Sequence, residues 1–133
     1  MSTYDHRQSP PSAAVTAAAL DHVRLSYHYL DLGDIDAYGS LLDENARVCR
    51  PDMPLGQGRA EILKLHAESA GPGVRHHIYK IIADGDCIAV TGAVTGVAAD
   101  SPATSDVEFA DFFTIADEGM LLGYRRFYFV SPK

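Results

Sequence analysis

The sequence predicts an α+β domain, with three helices packed on one face of a curved, mostly antiparallel sheet in the order ααβαββββ. Three observations lead there. Apolar residues recur three or four positions apart in the first half, a period of two takes over after Gly73, and Asp84-Gly85 and Asp117-Glu118-Gly119 punctuate the second half as turns. Helices followed by strands are the pattern of helices gathered on one face of an antiparallel sheet. At 133 residues the chain has the length of one domain with one core.

Residues 1–14, with Ser9-Pro10-Pro11-Ser12, have no apolar period and are expected to form a mobile N-terminal arm ahead of a single domain at 15–133. From Thr16, the residues Leu20, Val23, Tyr27 and Leu30 fall on one helical stripe that Gly33 ends. Asp34 is a fitting N-cap for a second helix burying Ile35, Tyr38, Leu41 and Leu42. Residues 46–50 alternate briefly before Pro51 and Pro54, which predicts an edge strand and a stiff loop. A third helix is expected over 59–69, with Ile62, Leu63, Leu65 and His66 toward the inside.

Four strands should follow. Residues 75–83 and 86–97 flank Asp84-Gly85, a pair suited to a type I′ hairpin turn. The polar stretch 100–105 leads to strands at 107–116 and 120–130. On the first of these, Val107, Phe109, Asp111, Phe113 and Ile115 share a face, so a carboxylate stands between two phenylalanines on the buried side. A closing turn centred between Asp117 and Glu118 sets Asp111 opposite Tyr124 and Phe109 opposite Arg126, with Tyr128 on the same face; an odd turn would bring Arg125 forward instead. The Asp84-Gly85 turn sets His76 opposite Ala93 and leaves open whether His76 or His77 faces inward. It also sets Ala89, Thr91, Ala93 and Thr95 in a small-residue row under the helices, which predicts a mixed polar and apolar cavity.

Composition narrows the partners. With 11 Lys and Arg against 18 Asp and Glu, the net charge of −7 argues against nucleic acid or an anionic membrane. No run is apolar enough to span a bilayer and no secretory signal pattern opens the chain, so a cytoplasmic protein is expected. Cys49 and Cys87 lack metal or redox spacing, and no phosphate cradle or nucleophile elbow is present; neither metal nor cofactor is expected.

The element order, together with Leu32-Gly33-Asp34-Ile35-Asp36-Ala37-Tyr38, Gly58-Arg59-Ala60-Glu61-Ile62 and a closing Asp111-Phe112-Phe113…Gly119…Tyr124-Arg125-Arg126-Phe127-Tyr128, resembles the SnoaL-like branch of the NTF2-like superfamily. The resemblance spans about residues 16–130. It implies a conical barrel with a deep pocket and a homodimer formed through the outer sheet face. It leaves the reaction open among cyclases, isomerases, dehydratases, epoxide hydrolases and non-catalytic binding proteins. Of the ketosteroid isomerase set only the oxyanion-side aspartate is matched, by Asp111. The general-base position carries Arg50, the helix-one tyrosine position falls on Ser26 beside Tyr27, and the helix-three tyrosine position carries His66. SnoaL-like cyclases work without cofactor through an acid/base aspartate and pocket histidines, which Asp111 and His76 match.

The expected function is therefore acid/base proton transfer on a hydrophobic, oxygenated, polyketide-like small molecule. Asp111 and His76 are the candidate catalytic residues, since loss of hydration raises a carboxyl pKa and imidazole titrates near neutrality. Tyr27, Arg50, His66, Phe109, Phe113, Tyr124, Arg126 and Tyr128 are the candidate substrate contacts. The alternative for Asp111 is a buried ion pair with Arg126 and no chemistry. On the same scaffold the alternative functions are a ligand carrier or interaction subunit and an epoxide hydrolase. The last needs a second aspartate beside Asp111 and Arg126.

Overall fold

Local sequence chemistry fixes where the helices start and stop. In the computed structural model, which describes residues 10–69, 73–96 and 106–129, Ser12 caps α1 (Ala13–Leu32) by accepting from the Val15 N–H, and Gly33 ends it at φ 75°. The helix thus takes in the last two residues of the expected arm; residues 1–9 lie outside the described residues. Asp34 caps α2 (Ile35–Gly39) through the Ala37 N–H. That helix is a single short turn. Leu42, expected in it, opens β1 (Leu42–Cys49) instead.

β1 runs longer than its alternation indicates and is not an edge strand. A two-residue strand, β2 (Gly56–Gln57), pairs with it on one side, and α3 (Arg59–Ser69) follows. The remaining strands are β3 (Arg75–Asp84), β4 (Cys87–Thr95), β5 (Val107–Ile115) and β6 (Leu121–Tyr128). The order across the six-stranded sheet is β2-β1-β6-β5-β4-β3, antiparallel except where β1 lies parallel to β6. The sheet keeps two edges, so the closed conical barrel implied by the resemblance is an open curved sheet carrying the helices. The core between the layers holds Val23, Tyr38, Leu42, Val48, Ile62, Ile88, Val90 and Phe113, all nearly solvent-free.

Both hairpins depart from the expected register. In the first, Asp84 still pairs with Cys87, so the turn is Gly85-Asp86, with positive φ at Gly85 alone, an arrangement of type II′ and not I′. A bulge at Tyr79 then shifts the ladder by one, so His76 opposes Val94 and His77 opposes Ala93. On β4 the inward parity belongs to Ile88, Val90, opposite Asp111, and Val94, so the row Ala89, Thr91, Ala93 and Thr95 lies on the other face, where Ala93 is itself covered. The cavity expected from that row does not arise from it.

In the second hairpin the turn is the odd one, Asp117-Glu118-Gly119, which shifts the ladder by one, and a bulge at Leu122 slides it by one more, two in all. Asp111 opposes Arg126, Phe109 opposes Tyr128 and Phe113 opposes Tyr124. A two-residue slide preserves parity, so the inward set Tyr124, Arg126 and Tyr128 stands as read from the sequence. Gly123 is required there: a Cβ would collide with the Arg47 carbonyl where β1 and β6 meet. The stretch 100–105 lies outside the described residues.

Candidate active site

Asp111 points inward from the centre of β5 and is fully buried. A carboxylate there must have its lone pairs filled, because an unpaired buried charge is prohibitively unfavourable. Arg126, its cross-strand neighbour, donates from Nε to Oδ1 and from Nη2 to Oδ2, each at 2.8 Å. The Tyr27 hydroxyl, reaching over from α1, donates to Oδ2 at 2.6 Å. The guanidinium also lies 4.3 Å from the centre of the Phe109 ring. Burial and then the Asp111 charge push the Tyr27 hydroxyl well above its ordinary pKa, so its proton stays. Burial opposes the Arg126 charge, but the Asp111 hydrogen bond and nearby groups outweigh it and hold the guanidinium protonated. At 0 % exposure Asp111 borders no water-sized space, which removes the hollow expected beside it.

His76 is the inward member of the histidine pair, and His77 is exposed. Its ring packs on Tyr27 and Phe109, with centroids 5.1 and 5.8 Å away. Asp31, one turn beyond Tyr27 on α1, meets it twice: Oδ1 lies 2.6 Å from Nδ1, and Oδ2 accepts the His76 backbone N–H at 2.9 Å. The double contact fixes ring position and assigns the Nδ1 proton toward the carboxylate. Nε2 is buried and meets no hydrogen-bond partner among the described residues. Burial pulls the His76 pKa down against the pull of Asp31, so the ring is neutral at pH 7 and Nε2 presents a lone pair.

The polar line continues from Arg126 to the sheet rim. Arg126 Nη1 reaches the Tyr128 hydroxyl at 3.4 Å. Arg50, just past the end of β1, donates to Tyr128 at 3.2 Å and to Tyr124 at 3.1 Å, and grips Asp52 from Nε and Nη2. Burial works to raise the Asp52 pKa, but the Arg50 hydrogen bond and charge hold it at about 2.

His66 stands apart from this line. Its Nε2 lies 3.4 Å from the Tyr38 hydroxyl in the packing between α2 and α3. Burial, then the charges of Arg50 and Arg126, pull its pKa to about 4. Phe113 packs on Tyr124 with ring centres 5.0 Å apart. The fold thus brings together Asp111, His76, Tyr27, Phe109, Phe113, Arg126, Tyr124, Tyr128 and Arg50, and leaves His66 in a separate pair. Sequence reasoning missed Asp31, although its spacing of four from Tyr27 puts both on one helix face. Nor does it single out Asp52, in the stiff loop between Pro51 and Pro54. Among the described residues no three acidic, histidine or cysteine side chains converge as a metal site, and no helix is long and apolar enough to cross a membrane.

A small α+β domain with a polar line held between sheet and helices defines the class of protein. Residues 23–122 match the SnoaL-like domain model, and the chain belongs to that family. Among solved structures it is similar to Bal32a, from a soil-derived mobile gene cassette, at 19% identity and TM-score 0.75, covering 86% of this chain and 92% of that one. It is also similar to an LEH-like epoxide hydrolase of M. tuberculosis at 18% identity and TM-score 0.72, covering 84% of this chain and 83% of that one. A third similar structure, a protein with a ketosteroid isomerase-like fold from Catenulispora acidiphila DSM 44928, has 17% identity and TM-score 0.73, covering 80% of this chain and 84% of that one. No curated protein matches the sequence.

Proposed function

We propose that this chain is an acid/base enzyme that moves a proton on a hydrophobic, oxygenated small molecule of polyketide type, in a cyclisation, isomerisation or dehydration. The observation that carries this reading is His76: its Nδ1 is tied to Asp31 while its buried Nε2 has no partner among the described residues. A neutral imidazole held that way is a general base with its lone pair free. Nε2 takes the proton beside a substrate carbonyl, Asp31 stabilises the imidazolium that forms, and the same nitrogen returns the proton to the product carbon or to a departing hydroxyl. We assign Asp111 the anchoring of Arg126, because all of its hydrogen-bonding capacity toward the site is engaged by Arg126 and Tyr27. Arg126 supplies positive charge where an enolate oxygen develops. Epoxide hydrolysis calls for two aspartates facing one arginine; Arg126 has Asp111 on one side and the Tyr128 hydroxyl on another.

Deuterium exchange tests the reading without knowledge of the natural substrate. In D2O, 2-tetralone, an enolisable bicyclic ketone, should gain deuterium beside its carbonyl in the presence of the protein and not in the presence of folded His76→Gln. Equal exchange by that variant, or ketone binding with no exchange, would leave the carrier reading in its place. The outer sheet face, where Tyr79, Phe112, Phe127 and Phe129 are 60, 44, 48 and 65 % exposed, is the surface we assign to a second copy in a homodimer. Light scattering should report a dimer that Phe127→Glu dissociates.

A further inference from the structure

Arg50 is a poor place to leave a charge unless something is meant to meet it. Its side chain is only 12 % exposed, and its single ionic partner among the described residues, Asp52, is 37 % exposed and sits two residues along on the loop between Pro51 and Pro54. Three donors converge on that carboxylate: Arg50 Nε at 2.9 Å, Arg50 Nη2 at 2.7 Å and the Tyr128 hydroxyl at 2.9 Å. A second phenol borders the same guanidinium: the Tyr124 hydroxyl accepts from Arg50 Nη1 at 3.1 Å. Two nitrogens of a planar guanidinium and a phenol directed at one place read a carboxylate by shape as well as by charge.

We propose that Arg50, Tyr124 and Tyr128 form a receptor for the carboxylate of an aromatic acid, and that Asp52 is its intramolecular occupant. The aromatic part follows from the walls, where Tyr124 and Tyr128 flank Arg50 and Phe113 backs Tyr124. Exchange is feasible because Asp52 is 37 % exposed and an incoming carboxylate takes over the same two Arg50 nitrogens and the Tyr128 hydroxyl, so little is lost when one acid replaces the other. Through Tyr128 the receptor adjoins Arg126, which puts the acid's ring system next to the inner cluster. The proposal deepens the catalytic reading by naming the substrate class, and it rests on the ligand entering at this rim.

Calorimetric titration of the full chain with 2-naphthoate and with 2-naphthamide tests it. Asp52→Asn keeps the shape of the loop and frees the receptor, so it should bind 2-naphthoate at least about tenfold more tightly than the unaltered chain. Affinity for the neutral amide should not change. Equal naphthoate affinity in the two chains, or an equal gain for the amide, overturns the proposal. If Asp52→Asn loses the native circular dichroism, Tyr124→Phe decides: it should weaken naphthoate and leave naphthamide alone, and equal effects on both overturn it. Binding of the acid with no deuterium exchange in the unaltered chain would remove the catalytic reading while leaving the receptor standing, and exchange with no preference for the acid would do the reverse.

Discussion

Asp111 and Asp31 are each tied to a nitrogenous side chain next to Tyr27, yet they are left in different conditions. Around Asp111 every group has a partner: Arg126 donates twice, Tyr27 once, and no water-sized space touches the carboxylate. Around Asp31 one atom is left over, because among the described residues nothing bonds the buried His76 Nε2. A satisfied buried pair specifies how strands and helix meet, whereas an unsatisfied nitrogen held in place by its other side is available for chemistry. Position on the buried face of a strand singles out Asp111. Hydrogen-bond completeness singles out His76.

The largest effect should come from breaking the closed pair. Asp111→Ala strands the Arg126 charge in the core and is expected to lower stability by about 3–5 kcal/mol in urea unfolding. A change under about 1 kcal/mol would mean that the cluster is not a structural anchor. Opening the other side should cost rate and not fold. His76→Gln is predicted to cut proton exchange about 10²–10⁴-fold while moving the unfolding midpoint little.

The buried neutral histidines give the next effect. An unfolded His66 takes its proton near 6.5, whereas the folded one resists until about 4, so the unfolded state binds more protons in that window. Stability is therefore full above pH 6.5 and falls as pH drops toward 4, by about 3 kcal/mol for His66, in the field of Arg50, Arg126, Asp52 and His76. His66→Phe should flatten that slope in urea titrations at successive pH values. An unchanged slope would place the acid sensitivity elsewhere. The smallest effect belongs to the Tyr27 hydroxyl, shared between the two regions by position. Tyr27→Phe removes one of the donors to Asp111 and should cost about 1–2 kcal/mol, without abolishing exchange.

Much of this was legible in the sequence because it rests on short-range rules. Helix caps at Asp34 and Gly33, the third helix, the inward carboxylate and the inward set Tyr124, Arg126 and Tyr128 all follow from caps and strand parity. What escaped depends on bulges. The extra residue at Tyr79 gave His76 Val94 and not Ala93 as its partner, and the three-residue turn with the bulge at Leu122 moved the partner of Asp111 from Tyr124 to Arg126. β1 looked like an edge because its parallel partner, β6, comes from the other end of the chain. Asp31 escaped because its role appears only once α1 lies across β3, a tertiary contact that helical spacing allows but does not reveal.

The central claim is a statement about one nitrogen atom, and 15N NMR of the His76 ring observes it directly. The account predicts a neutral ring at pH 7 with the proton on Nδ1 and an unprotonated Nε2, converting to the other tautomer or to a mixture in Asp31→Asn. A protonated Nε2 at pH 7, whether in the opposite tautomer or in a full imidazolium, would contradict it.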